Sequence, residues 1–252
     1  MPAVKSILIT GATSGVGFEL ARRLASVKGM RVMATGRNTK ALQELQQVGV
    51  EGFCADLRDA KQLDWLVSRI GEVPDVIVYS AGVGRFNFAH EASDEEMAEM
   101  LETNVLVPMQ LTKRLLPAMM ERKSGHLLFI GSQAGKVATP KTSVYAATKH
   151  ALIGYTNALR MEAAPYHLDV SVIHPGPIDT PFIELADQTG KYKQALGSQL
   201  LSIDTVVRAV IQTIREPRRE VNLPKVMGLT SKLYALAPSL VEVIGRPFFY
   251  KK

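Results

Sequence analysis

Tyr145 and Lys149 stand four residues apart in Tyr145-Ala146-Ala147-Thr148-Lys149. On a helix that spacing shares a face, so a phenol and an ammonium can converge. A free tyrosine has a pKa near ~10 and is a poor base at neutral pH. Bringing it to ~7 needs about 3 units, or ~4 kcal/mol, which one buried ammonium close by can supply in order of magnitude. Y-x-x-x-K alone is common and carries little. Ser132 adds a second group, thirteen residues before Tyr145 and just past the apolar run that ends at Ile130. A hydroxyl there can hold a substrate carbonyl while Tyr145 transfers the proton.

A second chemical feature lies near the start of the chain, in Thr10-Gly11-Ala12-Thr13-Ser14-Gly15-Val16-Gly17. A strand pattern precedes it and a helical pattern follows. Gly11 suits a sharp turn, Gly15 lets backbone approach a pyrophosphate, and Gly17 lets the helix pack close to a sheet. The free N–H groups of a helix N-terminus and its positive dipole end favour phosphate there. The spacing is G-x-x-x-G-x-G rather than G-x-G-x-x-G. The end of the next strand reads Ala34-Thr35-Gly36-Arg37-Asn38, with no acid between Arg31 and Gln43. NAD sites usually place an acid there for the ribose 2′-OH, whereas Arg37 suits a 2′-phosphate. The sequence therefore predicts NADP(H) preferred over NAD(H). Asp56, after the third strand and followed by Leu57, is a candidate to accept from the adenine amino group.

These groups need a scaffold, and the chain alternates short apolar runs with helical patterns. Strands are expected over residues 4–10, 31–35, 52–55, 75–80, 126–131 and 170–174. Helices are expected over 18–27, 39–48, 61–70, 94–122, 143–163 and 203–215. Continuous Val/Ile/Leu strands alternating with helices imply a parallel sheet covered on both faces. Right-handed crossovers then make a single-domain, doubly wound α/β fold of the Rossmann type. Residues 1–252 form one domain, with a basic and apolar appendage over residues 224–252.

Taken together, Thr10–Gly17, the serine at 132 and Y-x-x-x-K make the chain resemble the short-chain dehydrogenase/reductase family over nearly its whole length. The resemblance implies a parallel sheet of about seven strands. It implies Tyr145 as general acid/base, Ser132 as anchor of the carbonyl or alcohol, and Lys149 as the ribose-binding group that lowers the tyrosine pKa. Asn104 matches the family's helix asparagine, which holds a water in a relay through the ribose hydroxyl and Lys149. Cofactor contacts are implied for Gly11, Thr13, Ser14, Gly15, Val16, Gly17, Arg37, Asp56, Leu57, Ala81, Gly82, Tyr145, Lys149, Pro175 and Gly176. Further along, the backbone of Ile178 and the hydroxyl of Thr180 would fix the nicotinamide carboxamide. A homodimer or homotetramer paired through the long helices is also implied. The chain departs from the family's Asn-Asn-Ala-Gly, having Tyr79-Ser80-Ala81-Gly82. That puts local stability and cofactor affinity in doubt.

The expected activity is hydride transfer between NADP(H) and a ketone or secondary alcohol, of a bulky, apolar or lipid-like kind. A non-catalytic NADP(H)-binding sensor or scaffold of the same fold is the alternative. Composition fits a cytoplasmic globular protein, with 46% apolar and 21% charged residues and no apolar run long enough for a membrane span. The net charge is +6, but residues 215–252 hold eight basic against three acidic side chains and so carry +5. A near-neutral body argues against a nucleic-acid partner. The five histidines lack ligand spacing, so no metal is expected. Cys54 is expected to be a buried, inert thiol, Trp65 to pack on a helix face, and Asp94, Glu95, Glu96 and Glu99 to be solvated behind an N-cap at Ser93. The tail has two readings. It is an interfacial anchor or lid, with Phe248, Phe249 and Tyr250 at the membrane boundary, or a helix packed on the body or a second subunit beside the cleft.

Overall fold

Seven strands line up in the order 3-2-1-4-5-6-7, every neighbouring pair parallel. They are β1 (Ser6–Thr10), β2 (Arg31–Gly36), β3 (Glu51–Cys54), β4 (Val76–Tyr79), β5 (Gly125–Ile130), β6 (Leu168–Pro175) and β7 (Glu220–Leu223). The computed structural model describes residues 4–187 and 189–249. Tyr250, Lys251 and Lys252 of the tail lie outside the described residues. Parallel strands cannot be joined by tight turns, so each connection crosses a face and carries a helix. Helices α1 (Gly15–Ala25), α2 (Thr39–Gln47) and α9 (Ile203–Arg215) cover one face, with Leu20, Leu45 and Val210 fully buried. Helices α3 (Ala60–Ile70), α4 (Asp94–Leu101), α5 (Val107–Arg122) and α6 (Ser143–Ala163) follow in chain order. Of these, α3, α5 and α6 cover the other face through Leu66, Leu111, Leu152 and their neighbours. Two short helices, α7 (Pro181–Ala186) and α8 (Lys191–Leu196), and a final pair, α10 (Lys225–Leu236) and α11 (Pro238–Phe249), stand at the C-terminal ends of the strands. Among the described residues no helix is long and apolar enough to cross a membrane.

The expected helix over residues 94–122 is helical throughout but not regular. Between α4 and α5, Glu102–Leu106 form a π-helical turn, with the Val107 N–H bonded to the Glu102 carbonyl. Pro108 supplies the reason. In a regular helix its ring would press on the carbonyl of Asn104, four residues earlier, and the wider turn relieves that clash. The acidic run at the start of α4 is also less solvated than expected. Ser93 and Glu96 form a capping box. Glu96 also accepts from Asn87, and Glu99 pairs with Arg85 at 3.0 Å, bracing the segment that carries Phe86.

Three other expectations are corrected or refined. β7 has no counterpart in the strand pattern, because it is a half-buried edge strand of four residues between Pro217 and Pro224. Cys54 is exposed, not buried. It ends β3, the opposite edge strand, whose outer face meets solvent. Trp65 does pack on a helix face, edge-on to Phe53 at 6.3 Å, yet it remains 42% exposed.

Tyr79, standing where the family has asparagine, is 3% exposed and stacks on Phe129 at 4.2 Å. Its hydroxyl meets the Thr112 hydroxyl at 2.7 Å, and burial pushes the phenol pKa well above its ordinary value. The aromatic pair thus joins adjacent strands β4 and β5 with its polar end satisfied. Tyr79→Phe is expected to cost about 1 kcal/mol of stability by removing that hydrogen bond. Tyr79→Asn, which restores the family residue, is expected to cost about 3 kcal/mol or more by emptying the ring's site. Urea unfolding of both variants checks the order, and an asparagine variant as stable as the parent would overturn it.

Candidate active site

The sheet order reverses direction between β1 and β4, and the chain leaves these strands to opposite faces. The crevice that results at their C-terminal ends is where open α/β sheets bind ligands. Here it is a cleft of about 930 Å³. Thr10, at the end of β1, accepts through Oγ1 from the Ser80 and Ala81 N–H groups, which closes the two loops onto each other. The approach is so close that a Cβ on Gly11 would sit 2.6 Å from the Ala81 Cα, and Gly11 has φ +64°. Beneath it, a Cβ on Gly17 would lie 2.5 Å from the Gly11 carbonyl oxygen, so glycine lets α1 start directly under the loop. Gly11, Thr13, Ser14, Gly15 and Val16 line the cleft, while Gly17 lies below it as packing. The result is a glycine-bearing cradle at a helix N-terminus that fits a dinucleotide pyrophosphate.

Arg37, Asp56, Leu57, Ala81 and Gly82 line the same end of the cleft. The Arg37 side chain is 58% exposed and lies 3.9 Å from the Asp56 carboxylate. That carboxylate is already engaged by Arg58 at 2.7 Å, whose hydrogen bond holds the Asp56 pKa below its ordinary value. The three groups together leave one net positive charge. Pro175, Gly176, Ile178 and Thr180 also line the cleft, with Thr180 beside the glycine loop, its Cγ2 3.4 Å from where a Cβ on Gly15 would stand. The Gly176 N–H donates to the Leu223 carbonyl at 2.7 Å and Ile178 bridges to Leu201.

Ser132, Tyr145 and Lys149 all line the same cleft. Ser132 follows β5 and caps a short 3₁₀ turn, its Oγ accepting from the Ala134 N–H at 3.1 Å. The hydroxyl hydrogen is thereby left to donate outward. The Gln133 amide donates to the His174 carbonyl and to Asn222, tying this turn to β6 and β7. Tyr145 and Lys149 occupy the first two turns of α6, at 7% and 6% exposure. The Lys149 ammonium donates to the Ile130 carbonyl at 3.2 Å and lies 5.7 Å from the centre of the Tyr145 ring. Burial pulls Lys149 down to about 8 and pushes Tyr145 up to about 12, the latter opposed by a hydrogen bond from Ser132. Asn104 sits behind the wall at 1% exposure. Its side chain exchanges hydrogen bonds with the Val83 backbone at 2.9 and 2.8 Å and donates to Thr148 at 3.0 Å. The amide is thus fully used in bracing the loop after β4 against α6. Among the described residues no group of three or more His, Cys, Asp or Glu could hold a metal ion.

The other half of the cleft was not legible as a motif. Phe86 lies edge-on to Tyr145 at 5.7 Å and to Tyr192 at 5.0 Å, and Phe182 is 5.7 Å from Tyr145. These rings, from three separate segments, box in the phenol. Val226, Met227 and Thr230 of α10, and Val241 and Gly245 of α11, complete the lining. The tail therefore packs beside the cleft, and Pro238 starts α11 just after α10 ends. The sole signal in the sequence was the apolar spacing of the tail, which does not say what it packs against.

A family model described as short chain dehydrogenase matches residues 5–190. A putative ketoacyl reductase of Streptomyces coelicolor is 37% identical over 186 residues, covering 69% of this chain and 70% of the relative. The ketoacyl reductase HetN of a Nostoc species is 31% identical over 258 residues, covering 97% of this chain and 89% of its own. Among solved structures, the closed form of serine dehydrogenase complexed with NADP⁺ superposes with a TM-score of 0.81 at 29% identity, over 86% of this chain and 93% of that one. With the glycine cradle at the β1–β4 crevice and the Ser132, Tyr145 and Lys149 cluster beside it, these findings make the chain a member of the short-chain dehydrogenase/reductase family of oxidoreductases.

Proposed function

We propose that the protein transfers hydride between NADP(H) and a bulky, apolar ketone or secondary alcohol. The observation that carries this reading is the convergence of Ser132, Tyr145 and Lys149 in one cleft with the glycine cradle. The bound dinucleotide supplies the hydride in reduction and accepts it in oxidation. Ser132, its Oγ already accepting from Ala134, donates its hydrogen to the substrate oxygen. Tyr145 gives its phenolic proton to that oxygen in reduction and takes it back in oxidation. Lys149 holds the ribose hydroxyls, and its ammonium favours the phenolate against the burial that opposes it. Asn104 serves by bracing Val83 and Thr148.

Apolar substrate preference rests on Phe86, Phe182, Tyr192 and Met227 around the reacting end of the cleft. NADP(H) preference rests on Arg37, which lines the cleft. The solved neighbour that binds NADP⁺ is in keeping with it. A homo-oligomer paired through α4–α5 and α6 accords with the exposed Leu101, Leu106 and Met161 on those helices.

NADPH oxidation against a panel of aliphatic and aromatic ketones tests the activity, with Tyr145→Phe expected to lower kcat by at least about 10²-fold with NADPH affinity kept. A variant as active as the parent would remove Tyr145 as proton donor, and no turnover on any ketone would favour a non-catalytic binding protein. Arg37→Ala is expected to lower kcat/KM for NADPH by about 10- to 100-fold, with little effect for NADH, as one lost charge-assisted hydrogen bond implies. Lys149→Met is expected to abolish activity yet raise stability by up to about 3 kcal/mol, since it deletes a buried ammonium pulled down to about 8. The sign can be checked in the parent. Between about pH 8 and the ordinary lysine value the unfolded chain binds more protons than the folded one, so this group makes stability rise with pH.

A further inference from the structure

The α10–α11 hairpin carries two apolar surfaces. Its inner side, through Met227, Thr230, Val241 and Gly245, lines the cleft. Its outer side presents Leu229, Leu233 and Leu236 from α10 and Leu240, Val243 and Ile244 from α11, with exposures from 51% to 83%. Spacings of three and four residues put each set on one helix face. Val226, 63% exposed and also part of the cleft lining, joins the two surfaces at the mouth. Single exposed leucines are ordinary, but seven large apolar side chains concentrated on one hairpin are not.

Charge decides between the occupants such a face could take. Lys225 and Lys232 flank the α10 stripe, Arg246 lies on α11, and Lys251 and Lys252 follow in the sequence. The acid of the hairpin, Glu242, accepts from the Tyr234 hydroxyl at 2.9 Å. A second copy docking face to face would bring like charges together. Anionic lipid headgroups complement them, and an apolar stripe with basic flanks is the pattern of a helix lying in a lipid interface.

We propose that the α10–α11 hairpin docks the protein on an anionic lipid surface, beside the mouth of the cleft. The outer leucines enter the acyl boundary while the lysines reach the phosphates. Docking is read without turnover, so it stands or falls separately from the reductase activity. Co-sedimentation of the full chain with phosphatidylcholine vesicles, with and without phosphatidylglycerol, tests it. Two lysines beside the surface correspond to a preference for the anionic vesicles on the order of thirtyfold, weakening as salt is raised. Lys225→Gln with Lys232→Gln is expected to lower that preference by about that factor. Leu229→Gln, Leu236→Gln and Val243→Gln together, which leave the charge unchanged, are expected to lower binding to anionic vesicles at least about tenfold. An unchanged melting temperature shows that both variants are folded. A parent chain that stays in the supernatant with anionic vesicles would overturn the proposal, as would equal binding by the leucine variant. Light scattering adds a third arm. If the leucine substitutions convert an oligomer to a monomer and the parent binds no vesicles, the face is a subunit contact and the proposal is wrong.

Discussion

The bond from the Lys149 ammonium to the Ile130 carbonyl sits where the energetics of this molecule are least forgiving. An ammonium at 6% exposure has lost most of its water, and a single carbonyl at the tip of β5 returns only part of that loss. Burial acts on Tyr145 in the opposite direction, favouring the neutral phenol. Burial thus opposes the charged form of both groups, and the fold balances that penalty against the single Ile130 bond. The cost falls on stability, and the large fully buried cores on both faces of the sheet absorb it.

That balance requires α6 to lie hard against the end of β5. A Cβ on Gly135 would stand 2.8 Å from the Lys149 carbonyl oxygen, so the turn carrying Ser132 rests on the helix carrying Tyr145 with no side chain between. Asn104 repeats the device on the other side, joining the loop after β4 to Thr148 of α6. Asn104 is itself buried within the π-helical turn of Glu102–Leu106.

How much of this could be read from the residues divides along a physical line. The glycine loop, the strand order's consequences and Y-x-x-x-K were legible because close backbone approach and helical periodicity impose residue types at fixed spacing. Ser132 was legible through its place after a buried strand. What could not be read depends on which distant segments meet. Nothing local to Phe86, Phe182 or Tyr192 says that three rings surround one phenol. Cys54 and β7 were misjudged or missed for a related reason. Both belong to edge strands, where half the burial signal is absent and the apolar pattern no longer reports position in the sheet. Tyr79 was read as a defect because comparison with a motif sees the lost amide and not the ring partner on the next strand.

The two halves of the cleft are built under different constraints, and this bears on how such a protein diverges. The cofactor half is made by strand ends and glycines whose neighbours stand within 3 Å of any added Cβ, at Gly11 and Gly17 alike, so almost no substitution fits. The substrate half is roofed by α7, α8, α10 and α11, all outside the sheet, with side chains that are half-buried and replaceable. Changing the roof leaves the strand register and the Tyr145–Lys149 geometry untouched. The glycine half of the cleft is therefore fixed by close packing, and the other half is lined by elements outside the sheet. The basic charge follows the same division. It gathers in residues 215–252, of which the roof's last helices are part, while the preceding body stays near neutral.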